Sequence, residues 1–312
     1  MMLFSAVIDL LLEPFAYQYM TKAIWVSALV GAVCAFLSCY LILKGWALMG
    51  DALAHSVVPG VALAYLMGLP YALGAFTSGI IAALGISFVR RLTMLREDAV
   101  IGLVFTTFFA IGLLIVSINP TSVNVQSIVL GNILAISDED VVQVIIIAAI
   151  SLAILGLKWK DLMLAFFDDS HARSVGLNPW RLRVLFFVLL SACTVAALQT
   201  VGAVLVIAMV VTPGATAYLL TDRFGVMIGL AMIIGATTSA LGAYLSFFMD
   251  GATGGLIVVF QTLVFLAAFV FAPKHGRLAA RRAARAFSSE VDAGSREENA
   301  VKRSGLEEET TA

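Results

Sequence analysis

Ahead of Lys274, the Lys and Arg residues of this chain fall in only a few places: Lys22, Lys44, the group Arg90, Arg91 and Arg96, the 158–183 connection, and Arg223. The chain between them is apolar and divides into nine segments: 23–43, 52–69, 71–89, 99–118, 141–157, 184–200, 201–220, 224–249 and 255–272. Most approach the ~20 residues a helix needs to cross a hydrocarbon core. Lipid offers no partners for open backbone groups, so stretches of this kind must close their hydrogen bonds internally, as helices. The expectation is an all-α, polytopic integral membrane protein with eight or nine transmembrane helices. Several segments are short or interrupted by Gly and Pro, which membrane helices tolerate when buried against other helices.

Composition agrees: 61% of residues are hydrophobic and 12% charged, against about 25% charged in soluble domains. Residues 274–312 hold 15 of the 39 charged side chains, which leaves 24 for the first 273 residues. The chain is therefore read as an integral membrane domain over 1–273 and a charged cytoplasmic tail over 274–312. The tail has too few large apolar residues to bury a core and is expected to be disordered beyond a short basic helix at 276–287. That basic portion suits anionic headgroups, or it is a solvated anchor with no specific role. Cys34, Cys39 and Cys193 all lie in apolar stretches, without metal-site spacing or a disulfide framework. The first apolar run has no basic region before it and contains Asp9 and Glu13, so a cleaved signal peptide is not expected.

The excess of Lys and Arg orients the spans. The 90–96 group, 158–183, Arg223 and the tail belong inside. The 119–140 connection carries Asp138, Glu139 and Asp140 without Lys or Arg and belongs outside. Counting back from Arg90 puts Lys44 inside and the N-terminus outside, with 3–20, interrupted by Glu13-Pro14, as a candidate interfacial helix.

Within this apolar frame, Asp51 and His55 stand out. Residues four apart share one helix face, with Cβ atoms roughly 5–6 Å apart. A rise of ~1.5 Å per residue from Lys44 puts Asp51 about 10 Å and His55 about 16 Å into a ~30 Å core. An ionised Asp there costs about 2.5–3.5 kcal/mol on insertion scales, so it demands a partner. One oxygen and one nitrogen ligand suit a divalent metal cation. An internal Asp–His ion pair, or Asp51 capping a helix after Gly50, would also account for them. Two ligands are too few for a tight site, and a two-fold-related second subunit would supply four.

Two further stretches carry signals. In Phe167-Asp168-Asp169-Ser170-His171-Ala172-Arg173-Ser174-Val175-Gly176-Leu177-Asn178-Pro179, N-cap residues open a short helix, Gly176 stops it and Asn178-Pro179 forbids continuation. A two-turn helix between two spans has the shape of an element docking into a partner, or of an ordinary interfacial connector; His171 and His275 read as surface residues. The run from Gln199-Thr200-Val201-Gly202 to Thr212-Pro213-Gly214-Ala215-Thr216-Ala217 could line a path, act as a hinge, or simply pack tightly.

Nothing resembles a nucleotide-binding loop. Gly251-Ala252-Thr253-Gly254-Gly255 lacks the following Lys-Ser/Thr and reads as an external turn. With three histidines and no H-E-x-x-H, an intramembrane metalloprotease is excluded, and the chain is read as no enzyme. An ATP-independent, proton-coupled metal cation carrier with His55 as relay stays open as an alternative. Nucleic acid is not an expected partner.

The stretch Leu43-Lys44-Gly45-Trp46-Ala47-Leu48-Met49-Gly50-Asp51-Ala52-Leu53-Ala54-His55-Ser56-Val57-Val58-Pro59-Gly60 resembles the signature of the membrane permeases of metal-ion ABC importers. These are the manganese, iron and zinc systems. The resemblance continues through Arg96-Glu97-Asp98-Ala99, Leu130-Gly131-Asn132, residues 168–179, and Val201-Gly202 to Val211-Thr212-Pro213-Gly214-Ala215, and covers roughly 13–273. Lys-Gly-Trp and Ser-His-Ala-Arg-Ser-Val-Gly-Leu-Asn-Pro are closest to the manganese/iron branch. The resemblance implies a metal-chelate type ABC importer permease fold and a multi-pass place in the bacterial inner membrane. It implies ABC ATPase subunits, a second permease, identical or homologous, and a periplasmic metal-binding protein as partners. Asp51 and His55 would lie on the metal pathway, and Asp168, Asp169, His171, Ala172, Arg173 and Gly176 on the ATPase contact. Mn²⁺ or Fe²⁺, with Zn²⁺ not distinguished from them, would be cargo, with no permanently bound cofactor. The family offers no role for the charged tail.

Overall fold

The computed structural model describes residues 10–118 and 136–272, which are helical throughout apart from short connections. After a helical stretch over 10–16, ten helices follow. They are α1 (Gln18–Lys44), α2 (Ala47–Met67), α3 (Tyr71–Leu92), α4 (Glu97–Ile118), α5 (Asp138–Phe167), α6 (Asp169–Ser174), α7 (Pro179–Val201), α8 (Ala203–Leu220), α9 (Phe224–Met249) and α10 (Thr253–Phe271). Eight of these are long and apolar enough to cross a membrane, and α8 is a shorter apolar helix. This agrees with the eight or nine spans expected. The 274–312 tail, His275 and Leu130-Gly131-Asn132 lie outside the described residues.

Helix ends alternate between two faces of the bundle. At one end Lys22, early in α1, pairs with Asp138, which opens α5. At the other, Arg90 near the end of α3 pairs with Glu97, which opens α4. The second end also holds Lys44 and α6, and by the positive-inside rule it is the cytoplasmic one.

α1 is the axis of the bundle. It packs against α9, α8, α5 and α7, and Cys34, Cys39, Leu37 and Tyr40 along it are almost fully buried. Lipid tails are as apolar as the side chains, so contact in a membrane depends on close backbone approach through small residues. Gly31 and Gly235 provide this between α1 and α9, and Gly60 and Gly74 between α2 and α3; a Cβ on any of the four would collide with the facing backbone. α4 and α10 lie at the margins, with Leu113, Leu114, Leu263 and Leu266 exposed. All three cysteines are free and buried, so they pack among helices; the Cys193 thiol lies 3.2 Å from Ser151 Oγ.

Three segment boundaries differ from the sequence reading. The span does not begin at residue 52: the helix starts at Ala47, so residues 47–51 are already helical. α5 runs through Lys158, Lys160 and Asp161 to Phe167, where a loop was expected. Leu162, Ala165 and Phe166 bury one side of that extension, while Lys158 and Asp161 pair at 2.9 Å on the other. The glycine-rich external turn ends at Ala252, and Thr253-Gly254-Gly255 form the first turn of α10. Thr253 is buried there, bonded to Ser246 at 2.9 Å, and Gly254 lies against Leu205 and the Val201 carbonyl.

Pro213 packs tightly. It is buried in α8, and Ser38 of α1 serves the interrupted ladder there. Ser38 Oγ donates to the Val211 carbonyl and accepts from the Gly214 N–H, both at 3.0 Å.

Candidate metal pathway and coupling surface

α1 ends at Gly45, whose φ of 70° places it in the left-handed region, and Trp46 turns the chain directly into α2. Asp51 and His55 follow on successive turns. His55 Nε2 stands 3.3 Å from Asp51 Oδ1, and the two side chains are 26% and 33% exposed respectively. They lie on the one stripe of α2 that neighbouring helices leave open: Leu48, Asp51, His55 and Val58 are exposed or half-buried, whereas Ala52, Leu53, Ala54, Ser56 and Val57 are buried. α4 borders the stripe. Phe105 and Phe109 place their rings 5.2 and 5.5 Å from the imidazole, and Gly112 lets α4 approach Val58 and Pro59 closely.

Among the described residues, no third His, Cys, Asp or Glu joins this pair to complete a metal-binding group. One oxygen and one imidazole nitrogen are thus presented from the open stripe of a helix long and apolar enough to cross a membrane. A cation held there would have open coordination positions pointing away from the bundle.

The 168–179 segment folds as its local grammar requires. Asp168 caps α6, accepting from the Ser170 and His171 N–H groups at 2.8 and 2.9 Å. Those two donors hold its carboxyl below the usual range. Gly176, at φ 85°, reverses the chain, and Leu177 N–H closes the turn on the Ala172 carbonyl at 2.9 Å. Asn178 then caps α7, with Pro179 at its first position. Arg183 Nη2 reaches back to within 3.2 Å of both Asp169 carboxylate oxygens, fixing α6 against α7. Ala172 is fully buried beneath the helix, so its part is to seat α6. Ser170, His171, Arg173, Gly176 and Val175 remain exposed.

Sequence reasoning treated Trp46 and Glu97 as motif residues and Arg90 as part of the basic group that orients the spans, without a joint role. They meet in space. Trp46 Nε1 donates to Glu97, Glu97 pairs with Arg90, and the Arg90 guanidinium lies 5.5 Å from the centre of the Trp46 ring. Their separation across three helix ends explains why spacing could not reveal this. The signal available was the acidic pair Glu97-Asp98 directly after the cluster of arginines Arg90, Arg91 and Arg96.

The profile of the ABC 3 transport family matches residues 16–272. This chain belongs to that family. Its relatives include the chelated iron transport system membrane protein YfeC of Yersinia pestis, 72% identical over 88% of this chain and 93% of that one. The manganese transport system membrane protein MntB of a Synechocystis strain is 50% identical over 86% and 88%. Among solved structures, PsaBC of Streptococcus pneumoniae, in complex with Fab, superposes with a TM-score of 0.78 at 33% identity, covering 88% of this chain and 99% of that one. An inward-facing metal-chelate type ABC transporter shares the fold, with a TM-score of 0.52 at 20% identity. The ABC 3 chain is therefore a multi-pass membrane permease, as its helices and sequence motifs led one to expect.

Proposed function

We propose that this permease carries Mn²⁺ or Fe²⁺ into the cytoplasm across a bacterial inner membrane, as the non-catalytic membrane subunit of an ATP-binding cassette importer. Partner ATPases would hydrolyse ATP, and a periplasmic metal-binding protein would deliver the ion. The observation that carries the reading is the Asp51–His55 pair: two ligands side by side, part-exposed at membrane depth, on a flank where a second permease would complete the coordination. The metals named for the relatives support the ion class, and Asp with His suits either metal. The exposed face of α6, stiffened by the Asp168 cap and the Asp169–Arg183 pair, supports docking of an ATPase through Asp168, Asp169, His171, Arg173 and Gly176. Two such halves rocking against each other would open the pair alternately to each side.

The test is uptake of radioactive Mn²⁺ or Fe²⁺ by cells carrying Asp51→Ala or His55→Ala at wild-type membrane levels. Uptake should be lost in both. Undiminished uptake would remove the pair from the pathway.

A further inference from the structure

Trp46 occupies the joint between the coupling segment and the helix that carries the ligand pair. It is only 3% exposed and precedes Asp51 by five residues, roughly 7.5 Å along α2. Its ring stacks on Phe187 of α7 at 5.6 Å and meets Phe166 of α5 edge-on at 5.5 Å. Phe166 is two residues before Asp168, and Phe187 is two turns into the helix that Asn178 caps, so these two rings flank α6 on either side in the chain. On its polar edge Trp46 donates to Glu97, which Arg90 also holds. Lys44, two residues back, lies in the electrostatic field of Arg90, Glu97, Asp169 and Arg183 together. One side chain therefore touches the end of α5 and the third turn of α7 through its ring, and the ends of α3 and α4 through its N–H and ring.

We propose that Trp46 is the positioning residue through which displacement of α6 reaches α2 and its Asp51–His55 pair, with Glu97 and Arg90 clamping it on the opposite side. The proposal rests on the importer reading given above. An aromatic plate packed against Phe166 and Phe187 cannot stay in place when the α6 connection shifts, because packed interiors rearrange between discrete arrangements and do not stretch. The Glu97 bond converts that shift into a movement of the first turn of α2. Without it, the ring could slip while α2 stays behind.

The experiment uses the full complex with its ATPase and partner permease in proteoliposomes, measuring Mn²⁺ transported and ATP hydrolysed in the same sample. Trp46→Phe keeps an aromatic ring and removes the N–H; Glu97→Gln keeps an acceptor for Trp46 and removes the charge that holds Arg90. Both variants should assemble and hydrolyse ATP, while Mn²⁺ moved per ATP falls about fivefold or more, the lower range of coupling between linked sites. An unchanged ratio overturns the proposal, whether both activities hold or both fall together as they would for a merely structural role. If the wild-type complex itself shows no ATP-dependent Mn²⁺ uptake, it is the importer reading that fails.

Discussion

His55 Nε2 lies 3.3 Å from Asp51 Oδ1 on an open stripe of α2, a helix long and apolar enough to cross a membrane, and both side chains are part-exposed. If a facing subunit completes the site, as proposed, affinity should depend on assembly. The isolated chain in detergent should bind Mn²⁺ weakly, and the assembled two-permease complex at least about tenfold more tightly, since even outer-shell changes at metal sites alter affinity by 10–100-fold. Electron paramagnetic resonance of free Mn²⁺ during titration measures both. Equal affinities would mean that the pair acts alone.

A pH dependence follows from Asp168. Its carboxyl is held below the usual range by the Ser170 and His171 N–H groups, so the ionised form is bound more tightly in the folded segment. The cap therefore contributes in full above the ordinary Asp value of about 3.9 and fades as pH falls through the lowered value. Hydrogen exchange at the Ser170 and His171 amides, corrected for its intrinsic pH dependence, should lose protection only below about pH 4. Asp168→Ala should remove that protection at every pH, and Asp168→Asn should retain most of it, because Asn caps nearly as well.

The spans, the α6 grammar and the isolation of Asp51 and His55 were legible because each is a local pattern: a run of apolar residues, a cap with a stop, an ionisable pair where none is expected. What escaped was decided by tertiary contact. Lys158, Lys160 and Asp161 read as a loop boundary, yet α5 continues because Leu162 and Phe166 have a core to enter. Pro213 could have marked a hinge, and Ser38, 175 residues earlier in the chain, makes it a packing point. The role of Trp46 depends on partners at 90, 97, 166 and 187, a combination no spacing rule encodes.

The α2–α3 crossing should be intolerant of side-chain volume. A Cβ at Gly74 falls against the Gly60 carbonyl and the Ala64 side chain, and overpacking of this kind typically costs about 1–3 kcal/mol. Gly74→Ala should lower the melting temperature of the purified protein in detergent. Gly85→Ala, on the same helix with open space at its Cβ position, should leave it unchanged or raise it slightly.

Ser38 supplies the last prediction, because its hydroxyl bonds backbone groups on either side of Pro213. Proline has no N–H to donate, and its ring displaces the preceding turn. The Gly214 N–H and Val211 carbonyl are then served by Ser38 Oγ, one as its donor and one as its acceptor. Ser38 is fully buried, so no water replaces it. Ser38→Ala would leave a buried backbone donor without its partner, at about 1–3 kcal/mol. The melting temperature in detergent should fall accordingly. Two controls separate the hydrogen bonds from packing. Ser38→Cys keeps the volume with a weaker donor and acceptor and should fall between Ala and wild type. Ser38→Ala combined with Pro213→Ala restores a backbone N–H in α8, and should recover stability if the loss came from an unpartnered backbone group. An equal loss in the single and double variants would instead assign the effect of Ser38→Ala to the space its hydroxyl fills between α1 and α8.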